Sequence, residues 1–568
     1  MKTISNYIKT TACVAMVAAL GIGTVSCDSM LDTKPQGVFS AEQIGDNEAT
    51  DMLTAAYATL LCHYFGNNES FAGPINNWVI DLRSDDALKG GDNVTMEGYM
   101  HQLEIGNVES NSDILNFKWR NNYFSISRCN TAIKALLASG SLDDKTRNAM
   151  IGEMKTLRAY YYFDMYRLFA KFPYFDETVA NPSECRADEY TRDQILGFIR
   201  KDLRDSYEMM LEDVPEVGRF NKYVAAAVLA RVDLFCSDFA EAEKYSDYVI
   251  KSGKYELYPN FLDMSKPECN NMYESVMAVQ FSSANSGSQY NYCNCLNLTY
   301  NFKDDSRTDT YYGNGDDFYL GSQDLINAFA TDETGLPYLD GSVHQVGNTV
   351  SPDEANYEGN VDPRLDFTFG RIGMPWRGLE YTENWTRNLS LYGQYSCKKG
   401  YTSPDSPYCE TGIVPWGASS LNYIIIRYAD VLLMKAESLI EQNKSLDEAR
   451  NLINQVRLKA ARSVDPAYSP VDCNPMKANY LVGQYPASGW TQEYARKAVR
   501  HERRVELAME GLRWFDLLRW GNAVETVNKY YQYEAKFQPY YSGANLTESE
   551  LYFPIPLNQV DNAGDLYK

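Results

Sequence analysis

Histidine is nearly absent: four residues, His63, His101, His344 and His501, in a chain of 568. None has a metal-ligand or triad spacing. His501-Glu502 opens like a zinc-protease helix motif, but Val505 stands where the second imidazole must come, one helical turn on, so that chemistry is excluded. No CxxC pair occurs, which removes a structural zinc site and a thioredoxin-like redox pair. A GxSxG elbow, a P-loop and a GxGxxG fingerprint are also missing. No apolar run approaches the about 18 residues of a membrane span. Positive charge is short as well: 53 basic against 76 acidic residues, a net charge of −23. Phosphate backbones need cationic partners, so nucleic acid is excluded, as is adsorption to an anionic membrane surface. Neutral ligands fit this balance.

What is present begins with an address. Residues 1–26 read as a secretory signal: Lys2 and Lys9 supply the positive start, and 11–22 is an apolar run too short to cross a bilayer. Cys27 follows Thr24-Val25-Ser26, the pattern of a lipoprotein whose cysteine is acylated after cleavage. Thr24 stands where leucine is usual, and plain secretion is the alternative. Several acyl chains at Cys27 would anchor the protein firmly, at about 0.8 kcal/mol per buried methylene. Residues 27–40, polar with Pro35 and Gly37, read as an extended tether. Ten of the twelve cysteines remain beyond Cys13 and Cys27. Cys397 and Cys409 could close a loop, Cys293 and Cys295 are too close to be obvious partners, and buried free thiols are equally compatible. The 44 tyrosines offer flat faces with polar tips, useful at binding surfaces and in ordinary cores alike.

The stretch 499–521, VRHERRVELAMEGLRWFDLLRWG, organises the rest. Ala495, Ala498, Val505, Met509 and Leu512 fall on one helical stripe. Gly511 offers a turn, and Trp514, Phe515, Leu518 and Trp520 form a second apolar block. Glu506, Glu510, Arg513, Asp516 and Arg519 stand three or four apart, so the spacing predicts a buried helix pair with its charges paired internally. This run resembles the C-terminal signature of the RagB/SusD family, surface glycan-binding lipoproteins of starch-utilisation-type systems.

Further blocks carry the same resemblance. "LDTKPQG" at 31–37 is similar to the family's post-lipid segment. "LRAYYYFDMYRLFAKFPYF" resembles a second block, with Lys171 where glycine is usual. "RYADVLLMKAES" followed by "ARNLINQVR" resembles a third, and "LYFPIPLNQVDN" the closing PIP motif. The blocks span essentially the whole mature chain.

Periodicity predicts helices over 41–61, 113–137, 150–168, 192–210, 220–235, 239–252, 423–442 and 446–460. Pro554 and Pro556 predict an extended terminus. Helix pairs joined by short turns suggest tetratricopeptide-like stacking without its strict consensus. The resemblance implies four such pairs. The expected fold is therefore mainly α, a tetratricopeptide-like helix-pair scaffold with long loop-rich excursions. Its parts are a signal (1–26), a tether (27–40), an N-terminal helical part (41–280), a loop-rich ligand-binding region (281–420) and a C-terminal helical part (421–568), all one globular body after the tether.

Two regions break the helical pattern, 73–98 and roughly 282–420, and long irregular stretches in a compact body are usually functional. A sugar shows an apolar C–H face and a rim of hydroxyls, which call for aromatic rings and planar polar groups. The candidates are Lys89, Asp92, Asn93 and Tyr99 in the first region, and Tyr290, Tyr292, Asn294, Asn297, Tyr300, Tyr311, Tyr312 and Trp376 in the second. The resemblance implies ligand groups from equivalent places, though its motif does not align there residue by residue. Asp304, Asp305, Asp309, Asp316 and Asp317 could hold a structural calcium, but EF-hand spacing is lacking and solvated acids are the alternative. No other cofactor is called for. With 76 acids a hydrolase's carboxylate pair can always be invented, so that signal has no specificity. The resemblance implies a non-enzymatic outer-membrane lipoprotein that binds an oligosaccharide or polysaccharide and partners a TonB-dependent, SusC-like transporter. Peptide cargo, or mainly stabilising the transporter, is the alternative on the same fold.

Overall fold

The computed structural model describes residues 46–61, 73–282, 315–351, 357–403, 406–410, 418–464 and 472–567, with residues 291, 297, 299 and 300. Helices dominate: α1 (Asp46–Tyr57), α2 (Asp113–Ala138), α3 (Asp144–Leu168), α4 (Arg192–Met209), α5 (Lys222–Phe235) and α6 (Phe239–Lys251) come first. Each packs on the helix before it. The chain then leaves the stack for residues 252–427 and returns as α7 (Tyr428–Glu441), which packs on α6 as the next member of the stack. α8 (Leu446–Arg462) and α9 (Gln492–Glu506) pack on α7, and α10 (Arg513–Trp520) and α11 (Ala523–Glu534) follow. The scaffold is thus the tetratricopeptide-like stack expected from periodicity, interrupted in sequence but continuous in space.

Local chemistry sets these elements. Asp143 caps α3 by accepting from Thr146 N at 3.0 Å. Thr191 and Gln194 form a capping box at the start of α4. Ala225, Ala226, Ala227 and Ala230 are fully buried, so α5 approaches its neighbours closely. α3 is buried almost all round from Ala149 onward. One of its two deeply buried guanidiniums, Arg158, is held by Asp202 of α4 (2.8 Å) and Asn130 of α2 (2.6 Å), which fixes three consecutive helices together.

Three expectations need correction. Residues 423–442 are not one helix: Tyr423–Arg427 is a strand, β4, antiparallel to β2 (Ser275–Val279), and the helix begins only at Tyr428. The run of three isoleucines fits a pleated, half-buried surface better than a helix. The terminus does not stay extended, because beyond the Phe169–Phe553 bridge it forms a helix, Leu557–Ala563. Nor is 73–98 an open loop. Residues 73–91 are buried, and β1 (Ala87–Gly90) pairs antiparallel with β3 (Phe318–Gly321) of the excursion.

The charges of the 499–521 stretch are buried as expected, but most pair across the molecule rather than within it. Arg503 and Arg519 share Asp516 locally, at 2.9 and 2.8 Å. Arg504 and Arg513 instead reach Asp85 and Asp86 before β1. Glu502 and Glu506 both bind Arg364 of the excursion, at 2.6 and 3.0 Å, and Glu506 also binds Lys459 of α8 at 2.6 Å. Glu274, at the foot of β2, joins Arg427 and Lys459, both at 2.7 Å. Five cations (Arg364, Lys399, Arg427, Arg457, Lys459) face five anions (Glu274, Asp362, Glu502, Glu506, Glu510), so the network is balanced. It locks the 252–427 excursion onto α8 and α9.

Candidate functional site

A cleft opens where this network reaches the surface. The space between its walls, open mouth included, is about 590 Å³. Trp78, from the short helix Trp78–Asp81, and Met264 lie in its wall, with Leu421, Tyr423, Ile424 and Arg427 from β4 and the residues before it. Lys399 and Gly400 come from the excursion, and Met509 and Glu510 from the break between α9 and α10. That break is tightly built. Met509 and Gly511 both have left-handed backbone, and a Cβ on Gly511 would lie 2.8 Å from the carbonyl carbon of Asn77. The signature glycine therefore lets the turn at residues 76–77 dock and carry Trp78 into the wall.

The cleft's charges are already paired. Glu510 accepts from Arg427 Nη2 at 2.8 Å and Nε at 3.0 Å, and meets Lys399 Nζ at 2.7 Å. Burial works to raise the Glu510 carboxyl, but Arg427 and Lys399 outweigh it and hold it below the usual range. Lys399 Nζ also donates to the carbonyls of Glu506 (2.7 Å) and Ala508 (2.9 Å). Arg427 Nη1 is spent on Glu274 and Glu506. The remaining wall offers the part-exposed ring of Tyr423, with buried Trp78, Met264, Met509 and amides around it. Asn422 and Asn291 are themselves braced, Asn291 Nδ2 donating to the Leu421 carbonyl at 2.9 Å and Asn422 Oδ1 accepting from Phe281 N at 2.9 Å. Such a wall can cover the face of a neutral polar ring and contact its hydroxyls.

The residues singled out in the sequence are placed otherwise. Lys89 is 0% exposed, its ammonium capping the carbonyls of Asn93 (2.9 Å) and Met96 (2.7 Å). Burial pushes it down to about 8. It ties its own loop and is not open to a ligand. Asn93 Oδ1 accepts from Thr95 N and Met96 N, both at 3.0 Å, a local turn. Asp92 is exposed, and its carbonyl accepts from Asn388 Nδ2 at 2.7 Å. Tyr99 packs half-buried against the core. Trp376 is 4% exposed and stacks on Tyr381 (5.4 Å) with Trp385 at its edge, so it presents no open ring. A tryptophan between proline and arginine read as a surface platform, but the hairpin folds it under. Asn297 is buried, and Arg387 covers Tyr300 at 5.2 Å. Cys27, Tyr290, Tyr292, Asn294, Tyr311 and Tyr312 lie outside the described residues, as do Asp304, Asp305 and Asp309.

Asp316 pairs with Arg387, and Asp317 is buried, accepting from Ser396 Oγ and Arg387 N. Among the described residues no three His, Cys, Asp or Glu side chains converge on a metal position. Cys397 is a buried free thiol facing the Lys399 carbonyl, so the Cys397–Cys409 bridge is not made. The sequence reading missed Trp78, Tyr423 and Met509. Tyr423 was hidden by the helix assignment, although the three isoleucines after it were the available signal for a strand. Trp78 fell in a region already marked but was not picked out.

A wider hollow of about 1280 Å³ lies at Tyr357, Arg371, Met374 and Met476, but none of its lining comes from the signature stretch.

Comparison with known proteins gives the same picture. A family model described as "Starch-binding associating with outer membrane" matches residues 75–234. SusD-like protein P2 of Formosa agariphila is 25% identical over 527 residues, covering 88% of this chain and 89% of the relative. A SusD-like carbohydrate-binding protein from Bacteroides fragilis superposes with a TM-score of 0.69 at 20% identity, over 92% of this chain and 99% of the other. Surface glycan-binding protein A from Bacteroides thetaiotaomicron, solved in complex with laminarihexaose, gives 0.66 at 20% identity, over 92% and 98%. With the SusD family model matching residues 273–568, the part that includes the ionic network of α8 and α9 and most of the cleft wall, the chain belongs to the SusD family.

Proposed function

We propose that this protein captures a neutral oligosaccharide in the cleft at Trp78 and Tyr423 and delivers it to a TonB-dependent outer-membrane transporter, itself tethered by lipid at Cys27. The observation that carries the reading is the cleft's self-neutralised wall. Its cations and its one carboxylate are spent on each other, leaving the Tyr423 ring and amide edges for an uncharged, hydroxyl-rich ligand. The family descriptions and the laminarihexaose complex of a relative support a glycan as that ligand. Among the described residues no helix is long and apolar enough to cross a membrane, which fits an anchored protein.

Catalysis is not part of the proposal. Glycoside hydrolysis needs two opposed carboxyls, one able to hold a proton near neutral pH. Glu510 is the only carboxylate in the described cleft wall, and two cations hold it ionised.

Calorimetric titration across a panel of neutral and acidic glycans tests the reading. At least one neutral glycan binds, and Tyr423→Ala weakens it by about tenfold, a loss of about 1.4 kcal/mol. Copurification with the transporter from solubilised envelope stays unchanged in that variant. If no glycan binds while copurification persists, the protein carries other cargo or serves mainly to steady the transporter.

A further inference from the structure

β4 supplies the cleft with Tyr423, Ile424 and Arg427, and it does so by breaking the alternation of a regular strand. Successive side chains of a strand face opposite ways, so Ile424 and Ile426 would share a face. They do not. Ile425 and Ile426, neighbours in sequence, both pack in the main core, whereas Ile424 packs against the cluster of Tyr258, Phe261 and Met264. The pairing register gives the reason. Ile424 lies opposite Ala278 and Ile426 opposite Met277, so Ile425 is an extra residue with no partner on β2. Arg427 then lies opposite Ser275, which makes Val276 the extra residue of β2. The two bulges compensate, and the strands are back in step at Arg427. A bulge of this kind bends its strand and re-aims the side chains beside it.

A slip of one residue would turn every side chain of β4 to the wrong face, so the bulge has to be held. The ends of β4 are held by groups around the cleft. Asn422 Nδ2 donates to Gln280 Oε1 at 3.0 Å, and Arg427 joins Glu274 at 2.7 Å. The bulge itself is held from the helix stack. Arg231 of α5 donates from Nη2 to the Ile425 carbonyl at 3.0 Å, and the same nitrogen meets Asp430 Oδ2, in the first turn of α7, at 2.7 Å. Arg503 of α9 holds the other oxygen of Asp430 at 2.7 Å. Arg231 is largely buried and is not part of the cleft wall.

We propose that Arg231 is a positioning residue for the ligand: by gripping the bulged carbonyl of Ile425 it sets the register that turns Tyr423 and Ile424 into the cleft. It acts through β4 and does not touch the ligand. This rests on the glycan reading above and adds to it a residue outside the cleft wall, on the supporting stack.

Three variants of the full chain test it, Arg231→Met, Arg231→Lys and Asp430→Asn, by thermal unfolding, hydrogen exchange and calorimetry with the tightest-binding neutral glycan of the panel. The first removes the donor, the second keeps a cation with N–H donors, and the third removes the ion pair while leaving the grip on the carbonyl. In Arg231→Met the amides of residues 424–427 exchange about tenfold faster while those of α4 and α6 keep the parent's rates, and the glycan binds about tenfold more weakly. Arg231→Lys falls between this variant and the parent on both measures. Asp430→Asn melts earlier than the parent yet keeps its β4 exchange and its affinity, which separates register from stability. If Arg231→Met gives no cooperative melt, Arg231→Lys against Asp430→Asn decides, with changes of about threefold expected. Parent-like β4 exchange in a folded Arg231 variant, or equal loosening of β4 in Asp430→Asn, overturns the inference and leaves the glycan reading standing. Faster β4 exchange with unchanged glycan affinity overturns it as well. A parent that binds no glycan overturns the glycan reading, and the ligand role of Arg231 with it, whatever the exchange rates.

Discussion

Glu534 shows how much single buried acids matter in so negative a chain. It is fully buried at the end of α11 and accepts from Gln323 N at 2.8 Å. Burial pushes its carboxyl up to about 8, outweighing the backbone N–H groups of Gln323 and Asp324 and the more distant Arg504. The folded protein therefore holds a proton there that the unfolded chain releases near pH 4. Stability from this group is greatest in mild acid and falls as pH rises towards 8, with a slope of up to about 1.4 kcal/mol per pH unit. Asp430 has the opposite sign: Arg503 and Arg231 outweigh its burial and hold it near 2, so its contribution is lost only in strong acid. Urea unfolding at pH 5 and pH 8 checks this. Glu534→Gln keeps an acceptor for Gln323 and flattens the decline seen in the parent, whereas an equal decline in both contradicts the assignment. None of this was legible in the sequence, because Glu534 is one of 76 acids and only the fold decides which are dry. For the same reason Lys89 and Trp376 read as surface groups and proved buried.

At the scale of elements, legibility followed the range of the deciding interactions. Helices α2, α4, α6 and α8 end within two residues of their expected limits, because local apolar stripes define them, with a capping box added at α4. β4 was misread because its partner β2 lies nearly 150 residues earlier, beyond any local pattern. The break after α9 was foreseen at Gly511, although the helix stops earlier, at Glu506. Two glycines near this break separate conformation from contact. Gly511 (φ 71°) and Gly521 (φ 69°) share a left-handed backbone, but a Cβ meets the Asn77 backbone at the first and nothing at the second. Gly521→Ala costs about 1 kcal/mol. Gly511→Ala costs more, about 3 kcal/mol with the clash added, and shifts Trp78 so that near-ultraviolet circular dichroism changes. Equal losses in thermal unfolding would remove Gly511's role in seating the cleft.

Across the whole molecule, the stack of helices is a frame onto which the excursion docks. The family resemblance in the sequence covered much of the frame, since its blocks at 157–175, 427–438 and 449–457 fall largely on helices that the signature locks, whereas the block at 31–37 lies outside the described residues. It marked a candidate ligand region only as a stretch of chain. The cleft is assembled from residues 78, 264, 400, 423 and 509, drawn from widely spaced parts of the chain, and sequence spacing carries no trace of their meeting. The ionic network explains how so acidic a protein builds a neutral site: its buried carboxylates are balanced one for one where the excursion docks, and the excess charge remains elsewhere. The most direct measurement of the central claim is diffraction from crystals grown with the tightest-binding neutral glycan. The expected result is a sugar ring against Tyr423 in the cleft between Met264 and Met509. Sugar density in the hollow at Tyr357 and Met476, with none in the cleft, would contradict it.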